Sequence, residues 1–181
     1  MSEDIKVLIV GAGFMGTLHA KAYDQIDGVQ NVGIVTRNLS SSENLAEILG
    51  GDIPRFTNFE EALEQTRPDA VAISTYTDSH YHYVSTALKR GLDVFVEKPL
   101  AETIDECQEL FDLANSVNKK LYVGYILMTH PSWNRFIEVS HDLGKPLAMR
   151  MNLNQQAKGD FYDTLHNIMP VSYTHLTLPT K

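Results

Sequence analysis

Ile5-Lys6-Val7-Leu8-Ile9-Val10-Gly11-Ala12-Gly13-Phe14-Met15-Gly16 is the stretch of this 181-residue chain that decides its fold. Residues 5–10 are β-branched or apolar on both alternating faces, the pattern of a central parallel strand covered by helices on both sides. A Gly-x-Gly-x-x-Gly string follows at once and opens a helix-like stretch over residues 14–26. In that context the string reads as a dinucleotide site: Gly11 permits a tight turn, Gly13 lets a pyrophosphate approach the backbone, and Gly16 lets the helix pack on the strand. The helix N-terminus faces the phosphates. Phe14 and Met15, at the start of that helix, are counted with the site. The alternative, glycines that only make a turn, is outweighed by the alternating pattern that follows.

That pattern places a second strand over residues 31–36 and a capping box at Ser40-Ser41-Ser42-Glu43, opening a helix that stops at Gly50-Gly51. A short strand at residues 55–57 precedes a helix over 59–65 capped by Asn58; a fourth strand at 70–75 precedes a helix over 78–90 ended by Gly91. The fifth strand, 93–96, runs into Glu97-Lys98-Pro99. A second capping box, Thr103 to Glu106, opens a helix with Ile104, Cys107, Phe111, Ala114 and Val117 at helical spacing, and residues 121–124 make a sixth strand. Six β/α units predict an α/β fold, a doubly wound parallel sheet over residues 1–125. Pro131 starts a further helix ending near Gly144, and an alternating strand at 147–153 begins a second, α+β domain spanning 126–170.

Ligands of such sheets collect at the carboxyl ends of the strands, where strand order reverses between the first and fourth. The turn after strand one, Thr75-Tyr76 after strand four, and Glu97-Lys98 after strand five are therefore expected in one crevice. An acid at the end of strand two would hold the ribose hydroxyls of NAD, but Thr36-Arg37-Asn38 stands there instead, which suits a 2′-phosphate. NADP is thus preferred over NAD; Arg37 as a solvated turn residue is the alternative. Lys98, beside the backbone-fixing Pro99, is expected to be partly desolvated near a cationic nicotinamide and to act as a neutral amine. Such a group can take the proton of an alcohol while the carbon hydride leaves to the cofactor.

The bulk composition narrows the partners. A net charge of -8 without a Lys/Arg cluster argues against a nucleic-acid partner. The only cysteine, Cys107, reads as a core residue on the apolar side of its helix, so no intrachain disulfide is expected and a reducing compartment fits. No stretch reaches the roughly 20 apolar residues of a membrane span, and the expectation is a cytoplasmic chain with no membrane partner. His80, His82, His130 and His141 share no carboxylate or cysteine at ligand spacing, so no metal site is read.

Gly11-x-Gly13-x-x-Gly16, His19-Ala20, the segment from Thr75 to His80, Gly91-x-Asp93-Val-Phe-Val-Glu97-Lys98-Pro99-Leu-Ala101 and Val123-Gly124-Tyr125 together resemble the glucose-fructose oxidoreductase, inositol dehydrogenase and rhizopine-catabolism family of NAD(P)-dependent oxidoreductases. The resemblance covers residues 5–154. It implies Lys98 as the catalytic lysine, His80 near the nicotinamide end with either a structural or a ligand-contacting role, a sugar or polyol as the small-molecule substrate, and a homo-oligomer. It also implies an Asp and a His from the second domain, four positions apart. Asp163 and His166 offer both, three apart, and a capping Asp with a surface His is the other reading. Two departures from the family stand out: Tyr76 replaces a common proline, and Met128 lies near the place of a frequent arginine.

Two other functions fit the same resemblance: a non-catalytic regulator sensing NAD(P), and a glycosidase that oxidises its sugar transiently with bound NAD. Residues 171–181 have no period suited to what precedes them. They read as the translation of a transposase end joined to a sequencing adaptor, so native sequence is expected to stop at about Met169 or Pro170. His175 is then expected to have no role, and the chain, lacking most of its second domain, to be inactive by itself.

Overall fold

The computed structural model describes residues 4–142. The chain divides after Gly124 into two compact units. The first is a six-stranded parallel sheet in the order β3-β2-β1-β4-β5-β6, so strand order reverses between β1 and β4 as expected. The strands are β1 (Ile5–Val10), β2 (Val29–Val35), β3 (Arg55–Phe56), β4 (Ala70–Ile73), β5 (Asp93–Val96) and β6 (Leu121–Val123). Between them run α1 (Phe14–Tyr23), α2 (Glu43–Ile48), α3 (Phe59–Thr66), α4 (Thr77–Lys89) and α5 (Ile104–Ser116).

The period-2 alternation of β1 builds both layers of the core. Leu8 and Val10 join Val71, Ile73, Val94 and Val96 against α3, α4 and α5, through Ala62, Leu63, Val84, Leu88, Leu110 and Ala114. Val7 and Ile9 join Ile34 and Ala72 against α1 and α2, through Ala20, Leu45 and Ala46. Burial on both faces is what lets a parallel sheet exist in water. At Gly33 a Cβ would lie 3.1 Å from Leu8, Phe56 and Thr66 side chains, so β2 is pressed too closely for a larger residue without adjustment.

Three local expectations are corrected. The capping box at Ser40 to Glu43 does not form. Asn38 takes the capping role, its side-chain oxygen accepting from the Ser41 N–H at 3.0 Å and from the Ser40 and Ser41 hydroxyls at 2.7 Å. The chain makes a 3-10 turn over Leu39–Ser42 first, and α2 starts without a side-chain cap. Helix α1 ends at Tyr23 rather than near residue 26, because Gly28 at φ +80° turns the chain back so that its carbonyl accepts from Ile5 N–H at 2.8 Å. On α5, Ile104 is 87 % exposed and Phe111 is also exposed, while Leu110 and Ala114 are buried and Cys107, Leu113 and Val117 pack against the core. Both stripes obey helical spacing, and packing against α4 selected the second. The caps at Asn58 and the Thr103/Glu106 box form as expected.

In the second unit a 3-10 turn, Ile126–Met128, precedes α6 (Pro131–Asp142), which Pro131 opens. The helix end near Gly144, the strand at 147–153, Asp163, His166 and residues 171–181 lie outside the described residues. No helix among the described residues is long and apolar enough to cross a membrane.

Candidate functional site

A single register row crosses the sheet near its carboxyl edge: Phe56, Val35, Val10, Ile73, Val96 and Val123 stand side by side. The strands therefore stop flush, and the residues one step beyond form the next row: Thr36, Gly11, Ser74, Glu97 and Gly124. Backbone pairing continues into it, with Ser74 N–H donating to Val10 O at 2.7 Å, Glu97 N–H to Ile73 O at 2.9 Å and Gly124 N–H to Val96 O at 2.8 Å. Each loop leaves the sheet from a hydrogen-bonded base. Arg37, Thr75 and Lys98 follow one residue later, so the sheet brings to one edge the groups that its loops carry.

The three glycines have different surroundings. Gly11 sits at φ +97°, and a Cβ there would lie 2.3 Å from the Ser74 carbonyl oxygen. At Gly16 a Cβ would lie 1.9 Å from the Gly11 carbonyl oxygen, so α1 packs on the turn backbone to backbone. Around Gly13 nothing lies within 4 Å of the same point. Gly13 is also the N-cap of α1, which has no side-chain cap hydrogen bond and no acidic residue in its first turn. The open side of the turn thus coincides with the positive end of a helix dipole, a setting suited to an anion. The Ser74 hydroxyl, packed behind Gly11 and Gly16, is buried with no hydrogen-bond partner among the described residues. Phe14, 80 % exposed, and Met15, half-buried, lie at the same helix start.

At the end of β2, Thr36 is buried and its hydroxyl donates to Asn38 O at 2.7 Å, while Arg37 is exposed. The Arg37 guanidinium carbon lies 5.4 Å from the centre of the exposed Tyr76 ring, a cation–π contact joining the loops after β2 and β4. Thr75 Oγ1 and Ser79 Oγ are 2.7 Å apart and tie the latter loop to α4.

Lys98 is exposed, two residues beyond the end of β5. Glu97, by contrast, is buried at 7 % exposure, its carboxylate 2.8 Å from His19 Nε2 on α1 and accepting from the Lys98 backbone N–H at 3.2 Å. Burial pushes the Glu97 carboxyl up, but the His19 hydrogen bond, the Lys98 N–H and the adjoining positive charges prevail and hold it below its ordinary value. The His19 ring packs on Phe95 at 4.6 Å between centroids. His19 was visible in the sequence only as part of a family pattern; pairing it with a carboxylate 78 positions away requires the sheet.

A carboxyl depressed in the folded state adds stability that is present above its unfolded value near 4.5 and lost as pH falls through the lower folded value. Glu97→Gln keeps the shape and loses the charge-assisted hydrogen bonds, so it should cost about 1–2 kcal/mol at neutral pH. The deficit should close on acidification below 4.5. Denaturant titrations of both proteins at neutral and acid pH measure this, and a deficit that does not change with pH would show that Glu97 titrates normally.

His80, on the first turn of α4, is 1 % exposed and cannot face a ligand from this position. Its Nδ1 lies 2.7 Å from Pro99 O and its Nε2 3.2 Å from Thr75 O. Carbonyls only accept, so each contact needs a proton on the nitrogen facing it: a neutral ring satisfies one, an imidazolium both.

The chain is similar to known proteins in sequence and in fold. The model of an oxidoreductase family with an NAD-binding Rossmann fold, GFO_IDH_MocA, matches residues 5–125. An inositol 2-dehydrogenase of Klebsiella pneumoniae is 24% identical over 164 residues, 88% of this chain and 49% of that protein. The rhizopine catabolism protein MocA of Rhizobium meliloti is 30% identical over 129 residues, 71% of this chain and 38% of its own length. The crystal structure of GenD2 from gentamicin A biosynthesis, in complex with NAD, superposes with a TM-score of 0.73 at 27% identity, covering 78% of this chain and 40% of that one. The chain spans about half the length of the curated relatives it matches.

Proposed function

The chain belongs to the GFO/IDH/MocA oxidoreductase family, whose Rossmann fold binds NAD, and on that premise we propose that the whole protein is an NADP-preferring dehydrogenase acting on a hydroxyl of a sugar or polyol, with Lys98 as proton acceptor and donor. The observation that supports this reading is the flush carboxyl edge, where the glycine turn after β1 and Lys98 after β5 leave the sheet at the same height on either side of the loop after β4.

The residues present fit a dinucleotide. The open face of Gly13 at the uncapped start of α1, with the Phe14 and Met15 amides, would hold the pyrophosphate, and the tight contacts of Gly11 and Gly16 keep that turn in shape. Thr36 and Arg37 would hold the adenosine ribose, Arg37 binding its 2′-phosphate, with Thr75 and Tyr76 flanking it from the next loop. When bound, the nicotinamide supplies the group that exchanges a hydride with carbon. Lys98 Nζ takes the substrate hydroxyl proton in oxidation and returns it in reduction. Glu97 is turned inward to His19, so its part is to fix the base of Lys98 rather than to touch the ligand. Asp163 and His166, in a second domain of residues 126–170, are the proposed substrate-side partners.

The test mixes full-length protein with NADP or NAD and a panel of polyols and sugars, and follows the absorbance of reduced nicotinamide. Formation of NADPH from one substrate class supports the reading. Release of a glycosidic leaving group without net reduced cofactor would replace it with a hydrolase using transient oxidation. In the same assay Arg37→Ser should weaken NADPH binding about 10- to 100-fold, the worth of a lost charged hydrogen bond, and leave NADH binding nearly unchanged. Equal losses for both cofactors would remove the NADP preference.

A further inference from the structure

Lys98 reaches into solvent, yet the backbone beneath it is held on both sides. On one side its own N–H donates to Glu97 Oε2 at 3.2 Å, and Glu97 is tied through His19 to α1. On the other, the carbonyl of the next residue, Pro99, lies 2.7 Å from His80 Nδ1, within reach of an N–H donated by that nitrogen. The same imidazole approaches Thr75 O with its Nε2. Thr75 lies in the loop after β4 and Pro99 in the turn after β5, so one side chain spans two of the loops that frame the crevice. At 1 % exposure it has no solvent to exchange these contacts with, and a residue unable to donate would leave the part-buried Pro99 carbonyl without this partner.

We propose that His80 is a positioning residue: anchored on the first turn of α4, directly after the cofactor-side loop, it donates from Nδ1 to Pro99 O and so makes that loop and the base of Lys98 move as one body, so that an occupied cofactor site sets the position of the lysine. The inference rests on the role of Lys98 proposed above. It assigns to His80 no contact with substrate or cofactor.

The experiment compares His80→Leu and His80→Gln in the full-length protein. Leucine cannot donate to either carbonyl, whereas the glutamine amide carries two N–H donors and can restore one or both links. His80→Leu should lower kcat about 100-fold, the cost of a reacting group misplaced by an ångström, with KM and the NADPH dissociation constant changed by less than about threefold. His80→Gln should recover most of the loss. A second readout needs no turnover: with lysines converted to 13C-dimethyl-lysine, the Lys98 methyl resonance at saturating NADPH should take one sharp position in the parent protein and a different, broader one in His80→Leu. The Lys98 resonance is assigned by its absence in Lys98→Met.

A His80→Leu protein that binds NADPH and keeps both kcat and the Lys98 shift overturns the proposal. If His80→Leu does not fold, His80→Gln decides it: kcat and the Lys98 shift close to the parent values support the bridge, and their loss with intact NADPH binding counts against donation by this side chain as the link. Should Lys98→Met itself retain turnover, the dehydrogenase role of Lys98 falls, while the Lys98 resonance at saturating NADPH still reports whether His80 couples the two loops.

Discussion

Replacing Lys98 by methionine in the full-length protein is expected to lower kcat about 100- to 10,000-fold, the range that a positioned acid–base group supplies, while NADPH still binds. Methionine keeps the length of the stem and removes only the amine. Lys98 is exposed, with its backbone rather than its side chain held by Glu97 and the neighbouring Pro99 by His80, so the substitution should change folding stability by no more than about 0.5 kcal/mol. Steady-state rates, with cofactor affinity measured by fluorescence, separate the two effects. Turnover within a few-fold of the parent would show that the proton goes elsewhere, and the groups of the second domain would then be the place to look.

Gly16→Ala should be the most damaging single change at the cofactor end. Its new Cβ would sit 1.9 Å from the Gly11 carbonyl oxygen, and that carbonyl has no room to yield. Gly11 is held at φ +97°, its N–H donates to Val35 O at 2.9 Å, and its own Cα faces the Ser74 backbone. Helix α1 must therefore lift from the turn, at a cost of about 3 kcal/mol or more by the scale of overpacked cores. Dinucleotide binding should be lost with it. Gly13→Ala is the informative control, because its φ is -72° and nothing lies within 4 Å of the added methyl. Stability should stay within about 0.5 kcal/mol there, whereas a methyl group on the face proposed for the pyrophosphate should weaken binding. Thermal midpoints with and without NADPH distinguish the two variants. A Gly16→Ala protein as stable as its parent would mean that α1 can shift along the turn without penalty.

The same comparison of local and distant contacts explains which parts of the site were legible from residues alone. Gly11, Gly13 and Gly16 were assigned separate tasks by their order, and their surroundings differ: Gly16 is closed against the Gly11 carbonyl, whereas Gly13 is open. Glu97 was grouped with the ligand contacts beside Lys98, and His80 by family resemblance with a structural role as the alternative; both point into the protein. Sequence neighbours at the end of a strand alternate direction, so Glu97 turns inward where Lys98 turns out. The Arg37–Tyr76 contact and the Ser74 hydroxyl, without a partner among the described residues, have no local signature, since each depends on loops leaving different strands at the same height.

The order of β/α units, the glycine turn, and the caps at Asn58 and Thr103 were determined by the sequence itself, because each depends on interactions reaching only a few residues along the chain. Even there a competition between near-equal local choices escaped it, as when Asn38 displaced the Ser40 box. Tertiary structure alone decided the row from Phe56 to Val123, the buried stripe of α5, the bond between His19 and a carboxylate 78 residues away, and the bridge from His80 to Pro99. These pairings join groups that no periodicity relates. Only the register of the parallel sheet and the packing of helices on its two faces bring them within bonding distance.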